Sequence, residues 1–343
     1  MMRAMTVRSL SSPSISCVMP AFNEARNLGS VVPHVLAALT ALSPTVELIV
    51  IDDGSRDDTR EVAQGLARVH PELVYVRLSR NFGKEHALTA GIDAARGDVV
   101  VLMDADGQHP TELLAQMLGK WRDGADVVYA VRQSRADQSR LQIHLTRWFY
   151  KLVNWGNRVQ IPPDAGDFRL MDRKVVQALK SLPERNRFMK GLYAWVGFNS
   201  TAIDYQPLPR ADGITRFGLR GSMSLALTGM VAFSTAPLRL LTVLGLLMAV
   251  VSLGYGTWVI IDHLVWGVSV PGYATIVTST MFLSGVQLLA IGVLAEYVGR
   301  IYDEVKQRPA YLVMERVGSG LKLPAVAPGA LDPGPMQQEA SLL

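Results

Sequence analysis

The stretch DVVVLMDADGQHP carries the densest chemical signal in the chain: Asp104 and Asp106 stand two apart at the end of an apolar run. Gly107 frees the backbone from strand geometry just after them, so both carboxylates can turn toward one divalent ion. Mg2+ and Mn2+ favour such oxygen ligands, with a substrate diphosphate completing the sphere. The amide oxygen of Gln108 is a further candidate ligand, whereas His109, just before Pro110, reads better as a turn residue. A bare Asp-x-Asp is common by chance; its weight comes from closing the fourth of a series of apolar strands. A second acidic cluster lies in VELIVIDDGSRDDT, where Asp52 and Asp53 end a strand and can accept hydrogen bonds from ribose hydroxyls and a base edge. Asp57 and Asp58 read as caps for the next helix. In MPAFNEARNL, Pro20 ends the first strand and Glu24 lies just beyond it.

Several repeats of strand and helix must position these groups. ISCVMP, ELIVIDD, LVYVRL, DVVVLMDAD and DVVYAVR are buried strands by their β-branched, apolar content. Helices are predicted over 57–69, 83–96 and 111–122, the last following Pro110 near its first turn. Strands alternating with helices predict an α/β fold with a mostly parallel sheet covered on both faces. Ligands bind at the carboxyl ends of such strands. Asn23, Glu24, Asp52, Asp53, Lys84, Asp104 and Asp106 all fall there.

The last third of the chain changes character. Leu240 to Ile261 carries no charge and spans about 33 Å as a helix, enough for a hydrocarbon core of about 30 Å. After Asp262 and His263 the chain is uncharged from Leu264 to Ala295, and Pro271-Gly272 leaves Tyr273 to Tyr297 as a second span. Arg216, Arg220 and Arg239 precede the first span and Arg300, Lys306 and Arg308 follow the second, with no Lys or Arg between. The positive-inside rule then puts both termini and the catalytic domain on the cytoplasmic side of the cell's inner membrane. The N-terminus has no apolar region of secretory length, in keeping with that placement. Residues 140–158 and 215–233 mix Arg and Lys with aromatic or apolar residues, a pattern suited to the headgroup zone. The expected organisation is a loose arm at 1–13, a catalytic domain at 14–212, an interfacial segment at 213–237 and a two-span region at 238–298. A juxtamembrane segment at 299–317 and a disordered, Pro/Gly-rich tail at 318–343 follow. The 34 Lys and Arg against 30 Asp and Glu give a net charge of +4, too mild to argue for nucleic acid. The single cysteine, Cys17, excludes an internal disulfide or a cysteine zinc cage and reads as a buried strand residue.

CVMPAFNEARNL, VIDDGSRDDT, RNFGKEHALTAGIDAARGDVVVLMDADGQHP and GDFRLMDR, in this order, resemble the family-two glycosyltransferases of the GT-A fold. More narrowly, they are similar to bacterial polyprenyl-phosphate glycosyltransferases and dolichol-phosphate mannose synthases. The likeness runs from about Ile15 to Lys306 and includes PERNRFMKGLYAWVGF and the two spans. It implies a nucleotide-sugar donor, a polyprenyl phosphate acceptor, membrane lipid as partner, and Mg2+ or Mn2+ as cofactor. By the same resemblance Pro20, Ala21, Glu24 and Asp53 hold the nucleoside, and Asp104, Ala105 and Asp106 take the diphosphate and metal, joined by Gln108. Lys84 and Arg132 lie over the donor, and Asp167 and Arg169 face the reacting centre. Arg210, Thr215 and Arg216 match the acceptor-phosphate loop, although Arg216 stands where the family usually has Lys. Gly107 and Thr111 replace a bulkier residue and a second proline, which bears on loop rigidity. The implied reaction inverts the anomeric carbon, with UDP-glucose the leading donor. GDP-mannose, UDP-N-acetylglucosamine and a modified UDP-pentose remain alternatives, as does a non-catalytic membrane adaptor of the same fold. A processive synthase would need Q-x-x-R-W, but four residues separate Gln142 from Arg147-Trp148. Ser252 and Gly256, four apart in the first span, leave a homo-oligomer open.

Overall fold

The computed structural model describes residues 12–132, 165–185, 187–208, 236–266 and 272–321. The two segments expected at the headgroup zone, 140–158 and 215–233, lie outside the described residues, as do Arg210, Thr215 and Arg216. The catalytic region comprises strands β1 (Ile15–Ala21), β2 (Val46–Asp52), β3 (Leu73–Leu78), β4 (Val99–Leu102), β5 (Val127–Arg132), β6 (Ala165–Asp172) and β7 (Ser200–Tyr205). Its helices are α1 (Ala25–Leu42), α2 (Thr59–Val69), α3 (Lys84–Ala94), α4 (Leu113–Arg122), α5 (Arg173–Lys180) and α6 (Met189–Trp195). Two long helices follow, α7 (Ala236–Trp266) and α8 (Tyr273–Val305), and then β8 (Val313–Val317).

One eight-stranded sheet results, in the order β7-β5-β6-β4-β1-β2-β3-β8. Strands β1 to β4 are mutually parallel, as their near-continuous apolar sequences require of strands buried on both faces. Side chains alternate between two cores. Cys17, Met19, Leu48 and Val50 face α1, α2 and α4, whereas Val18, Ile49 and Ile51 face α3, α5 and α6. Cys17 is fully buried, and burial pushes its thiol up to about 12, so it packs as an inert apolar residue. All five predicted strands are present. Helices α1, α5 and α6 and strands β6, β7 and β8 were not read from the sequence. Strand β6 runs antiparallel between β4 and β5, which brings its first residues to the carboxyl end of β4. Pro33 inside α1 masks a helix whose buried face, Leu28, Val31, Val32, Val35 and Leu39, is otherwise regular.

Helices α7 and α8 are long and apolar enough to cross a membrane, and none of their candidate spans is buried inside the protein. Exposures such as 71% at Leu253 and 72% at Met281 suit a non-aqueous surround. The chain is therefore membrane-associated. Helix α8 has 33 residues, about 50 Å, which exceeds the hydrocarbon core by about 20 Å. The end of α8 is tied to the catalytic region. Glu304 accepts from the Arg185 amide at 2.9 and 3.2 Å, and the Arg185 guanidinium donates to the Arg308 carbonyl. Tyr311 donates to Asp93 at 2.8 Å, and Arg60 pairs with Glu315 at 2.9 Å. Strand β8 then adds antiparallel to β3. Residues 318–321, expected to begin a disordered tail, instead lie on the sheet: the Leu321 amide donates to buried Glu47 at 2.9 Å. Part of the expected juxtamembrane segment is likewise an edge strand. Its mostly exposed side chains, Val313 and Met314 among them, give it no core-facing pattern to read. Residues 322–343 lie outside the described residues.

Gly54 is the backbone position on which the site's loops depend. Its φ is +68°, and a Cβ would stand 2.5 Å from the Arg80 carbonyl carbon. Gly54→Ala combines a left-handed alanine with that clash and is expected to cost about 2–4 kcal/mol. A thermal melt of the purified protein that leaves Tm unchanged would contradict this account.

Candidate active site

The turns after β1 and β2 are stitched together. Asn23, at φ 56°, accepts from the Arg56 amide at 2.8 Å, and its own amide donates to Ser55 Oγ at 2.9 Å. The Glu24 amide donates to Thr59 Oγ1 at 2.9 Å, and the Glu24 carboxylate accepts from Asn27 Nδ2 at 2.6 Å. Asp57 serves the start of α2, accepting from the Thr59 amide at 3.2 Å and from its hydroxyl at 2.5 Å. Asp58 occupies the cap position without a side-chain cap bond.

Asp52 and Asp53 divide their labour. Asp52 is fully buried and accepts from Tyr75 Oη at 2.7 Å and the Ser55 amide at 2.7 Å, so it supports the turn. The Asp53 carboxylate accepts from the amides of Phe82 and Gly83 at 2.7 and 2.9 Å. Burial raises the Asp53 pKa, and those two amides oppose the rise. Asp53 therefore anchors the loop that begins α3, next to Pro20 and Ala21; its own amide donates to the Ala21 carbonyl at 2.9 Å.

Lys84, the first residue of α3, is where the separate motifs meet. Its Nζ lies 2.7 and 2.9 Å from the two Asp104 oxygens and 2.8 Å from Asp167 Oδ2. Burial alone would lower the Lys84 pKa, but Asp104 and Asp167 outweigh it and hold the ammonium above its ordinary range. Burial likewise works against ionised Asp167, yet Lys84, Lys190 and Arg169 together hold its carboxyl well below the usual carboxylate range. Asp106 accepts from the Gln108 amide at 3.1 Å across Gly107, whose φ is +72°. The Gln108 carbonyl takes the Leu208 amide at 3.0 Å, which fixes the rim of this loop.

His109 has a different task from metal binding. Its Nδ1 accepts the Asp104 amide at 3.1 Å, so in the neutral ring the proton sits on Nε2. The ring stacks on Phe168 at 4.6 Å, between β4 and β6, and meets Tyr205 edge-on at 6.1 Å. Burial lowers its pKa despite Asp104 and Asp106, so the ring is neutral at pH 7. Arg132 ends β5 in register with Tyr205.

Beyond Asp167 the wall is built by β6 and α6. Arg169 is 3% exposed, donates to the Gly166 carbonyl at 2.6 Å and lies over the Tyr193 ring at 3.4 Å. Glu85, beside Lys84, accepts from the Met189 amide at 2.8 Å. Burial first, and Asp167 second, push its carboxyl up to about 7. The structure thus brings Lys84, Asp104 and Asp167 into direct contact, with Asp106 and Arg169 beside them and Pro20, Ala21 and Asp53 at the next strand ends. Sequence reasoning missed Glu85, Phe168, Tyr193 and Tyr205. GKEHAL and FMKGLYAW contained two of them, but no spacing rule links residues so far apart in the chain.

Among the described residues no group of three or more His, Cys, Asp and Glu forms a metal cage. Asp104 and Asp106, two residues apart beside Gly107, supply the carboxylate oxygens that a hard divalent ion favours, and Lys84 pairs with the first of them.

Residues 16–180 match glycosyl transferase family 2, and residues 236–301 match the GtrB C-terminal hairpin. An SfII prophage-derived bactoprenol glucosyl transferase of Shigella flexneri is 46% identical over 87% of this chain and 97% of its own. The uncharacterized glycosyltransferase sll0501 of Synechocystis is 45% identical over 89% and 96%. Among solved structures, glucosyl-3-phosphoglycerate synthase from Mycobacterium tuberculosis, in complex with Mn2+, UDP and glucosyl-3-phosphoglycerate, is 20% identical. It covers 67% of this chain and 84% of its own, with a TM-score of 0.46. With its strand-end acids on one sheet and an apolar helical hairpin tied to that sheet, this chain belongs to glycosyl transferase family 2 and is a glycosyltransferase of the GtrB-hairpin kind.

Proposed function

We propose that the chain moves glucose from UDP-glucose onto undecaprenyl phosphate at the cytoplasmic face of the inner membrane. The observation that carries this reading is the union, on one sheet, of the Lys84–Asp104–Asp167 cluster with a membrane hairpin. The relatives named as bactoprenol glucosyl transferases, alike over nearly their whole length, support a glucosyl group as the sugar moved and bactoprenol as its acceptor.

The acceptor, a phosphate monoester with a second pKa near 6, is largely dianionic at pH 7 and needs no strong base. Asp167, held well below the usual range, is a poor proton acceptor and is better suited to orienting Lys84 and the incoming phosphate. A phosphate oxygen attacks the anomeric carbon as the bond to UDP breaks on the opposite side, giving an inverted β-linked product and free UDP. Asp104 and Asp106, with Gln108 near, would hold Mg2+ or Mn2+, which when bound supplies positive charge to the leaving diphosphate. Lys84 adds charge at the same place. Pro20, Ala21, Glu24 and Asp53 would line the nucleoside side, with Ala105 and Arg132 completing the donor site. Arg169, buried under Tyr193 contact, lends its charge from behind Asp167 rather than by reaching out. Arg210, Thr215 and Arg216 would bind the lipid phosphate.

Protein in nanodiscs, given UDP-glucose, undecaprenyl phosphate and Mg2+ or Mn2+, is expected to form an acid-labile glucosyl lipid. EDTA is expected to stop the reaction, and Asp106→Asn to lower turnover at least about a hundredfold with folding retained. Transfer from GDP-mannose alone would reassign the donor, and donor binding without turnover on any polyprenyl phosphate would favour an adaptor. Arg210→Ala is expected to raise the acceptor KM or lower turnover about ten- to a hundredfold, the loss of one charged hydrogen bond. The nucleotide-sugar KM is expected to stay put, and a shift there instead would move the lipid phosphate elsewhere. For orientation, a cysteine replacing Gly272, between the spans, is expected to react with an impermeant thiol reagent from outside the inner membrane, with buried Cys17 silent. Labelling only from the cytoplasm would invert the topology.

A further inference from the structure

We propose that Glu85 is a positioning residue for this reaction, registering α6 against the start of α3 and thereby setting the distance between the two walls of the Asp167–Arg169 site. Only its kinetic readout rests on the transfer reaction proposed above.

The contacts form a closed circuit. The Glu85 carboxylate accepts the Met189 amide at 2.8 Å, an amide at the first turn of α6 that has no partner within its own helix. One turn along α3, on the same face, Thr89 Oγ1 lies 3.9 Å from Met189 Sδ, so Glu85 holds the Met189 amide while Thr89 touches its unexposed side chain. Tyr193 follows Met189 by one turn of α6, and its ring carries the Arg169 guanidinium at 3.4 Å. Arg169 is tethered to the Gly166 carbonyl at 2.6 Å, next to Asp167. Asp167 returns to Lys84 at 2.8 Å, and Lys84 is the neighbour of Glu85 on the first turn of α3. Two contacts join α3 to α6 directly, the 2.8 Å Glu85–Met189 hydrogen bond and the longer Thr89–Met189 contact, and the first is the shorter of the two. Without it, the Lys84–Asp167 ion pair and the Arg169–Tyr193 contact remain, but α6 is held to the start of α3 only by the weaker Thr89 contact.

A carboxylate that merely fills a half-buried gap would affect stability and leave turnover alone. Two near-isosteric variants separate these roles in the full-length protein. Glu85→Gln can still accept the Met189 amide, whereas Glu85→Met fills the same space and cannot. Expected is a kcat for Glu85→Gln within about threefold of wild type, and for Glu85→Met a fall of about ten- to a hundredfold. The nucleotide-sugar KM is expected to hold within about twofold in both, since the nucleoside side is untouched. Amide hydrogen exchange over 189–195, which needs no substrate, is expected to quicken about tenfold or more in Glu85→Met and not in Glu85→Gln. Equal kcat in the two variants, or unchanged exchange in Glu85→Met, would overturn the proposal. If Glu85→Met does not fold, Glu85→Asp, one methylene too short, takes its place with the same expectations. A wild-type protein that forms no glucosyl lipid would defeat the proposed function, while the exchange comparison would still decide the role of Glu85.

Discussion

A single ammonium group holds the chemistry of this protein together. Lys84 Nζ bridges Asp104, from the end of β4, and Asp167, from the start of the antiparallel strand β6. Two carboxylates brought so close repel each other. The ammonium between them offsets that repulsion and aims both at one place. Much of the surrounding backbone serves to put Lys84 there. Asp53 clamps the Phe82 and Gly83 amides, Gly83 adopts φ +98°, and Gly54 lets the Arg80–Asn81 backbone pass within Cβ distance of it. The nucleoside end of the site and its reacting end are thus linked through three consecutive residues, 82–84.

The antiparallel insertion of β6 is the second consequence. A purely parallel sheet would offer acids only from the ends of β1 to β5. Running β6 the other way between β4 and β5 places Asp167 and Arg169 at the same edge as Asp104. His109 secures that junction by accepting the Asp104 amide while stacking on Phe168 of β6. A neutral ring in this place steadies the Asp-x-Asp loop without adding a competing positive charge.

The hairpin is joined to the sheet through the segment that follows it. After α8, the chain is held at Glu304, Arg308, Tyr311 and Glu315, then pairs with β3 and ends on buried Glu47. Strand β8 covers what would be an open edge, and it does so with the segment that leaves the apolar helix. The catalytic sheet is thereby tied to the end of the apolar span, a useful constraint for an enzyme whose acceptor is proposed to be anchored in lipid.

By itself the sequence determined whatever depends on short-range pattern. Five apolar strands, the helices α2, α3 and α4, two apolar spans and the placement of Asp53, Asp104 and Asp106 just beyond strands follow from periodicity and from residues adjacent in the chain. The roles of Asp167 and Arg169 were implied by resemblance, since an isolated GDFR has no periodic signal. Tertiary structure alone decided that Lys84 meets Asp104 and Asp167, that His109 orients Asp104, that Glu85 reaches Met189, and that β8 returns to the sheet. Those contacts join residues from 5 to more than 200 positions apart, across strands whose order is not their order in the chain. A half-exposed edge strand such as β8, or a buried carboxylate whose partner is a backbone amide, leaves no compositional mark, because what stabilises it is the neighbour the fold supplies.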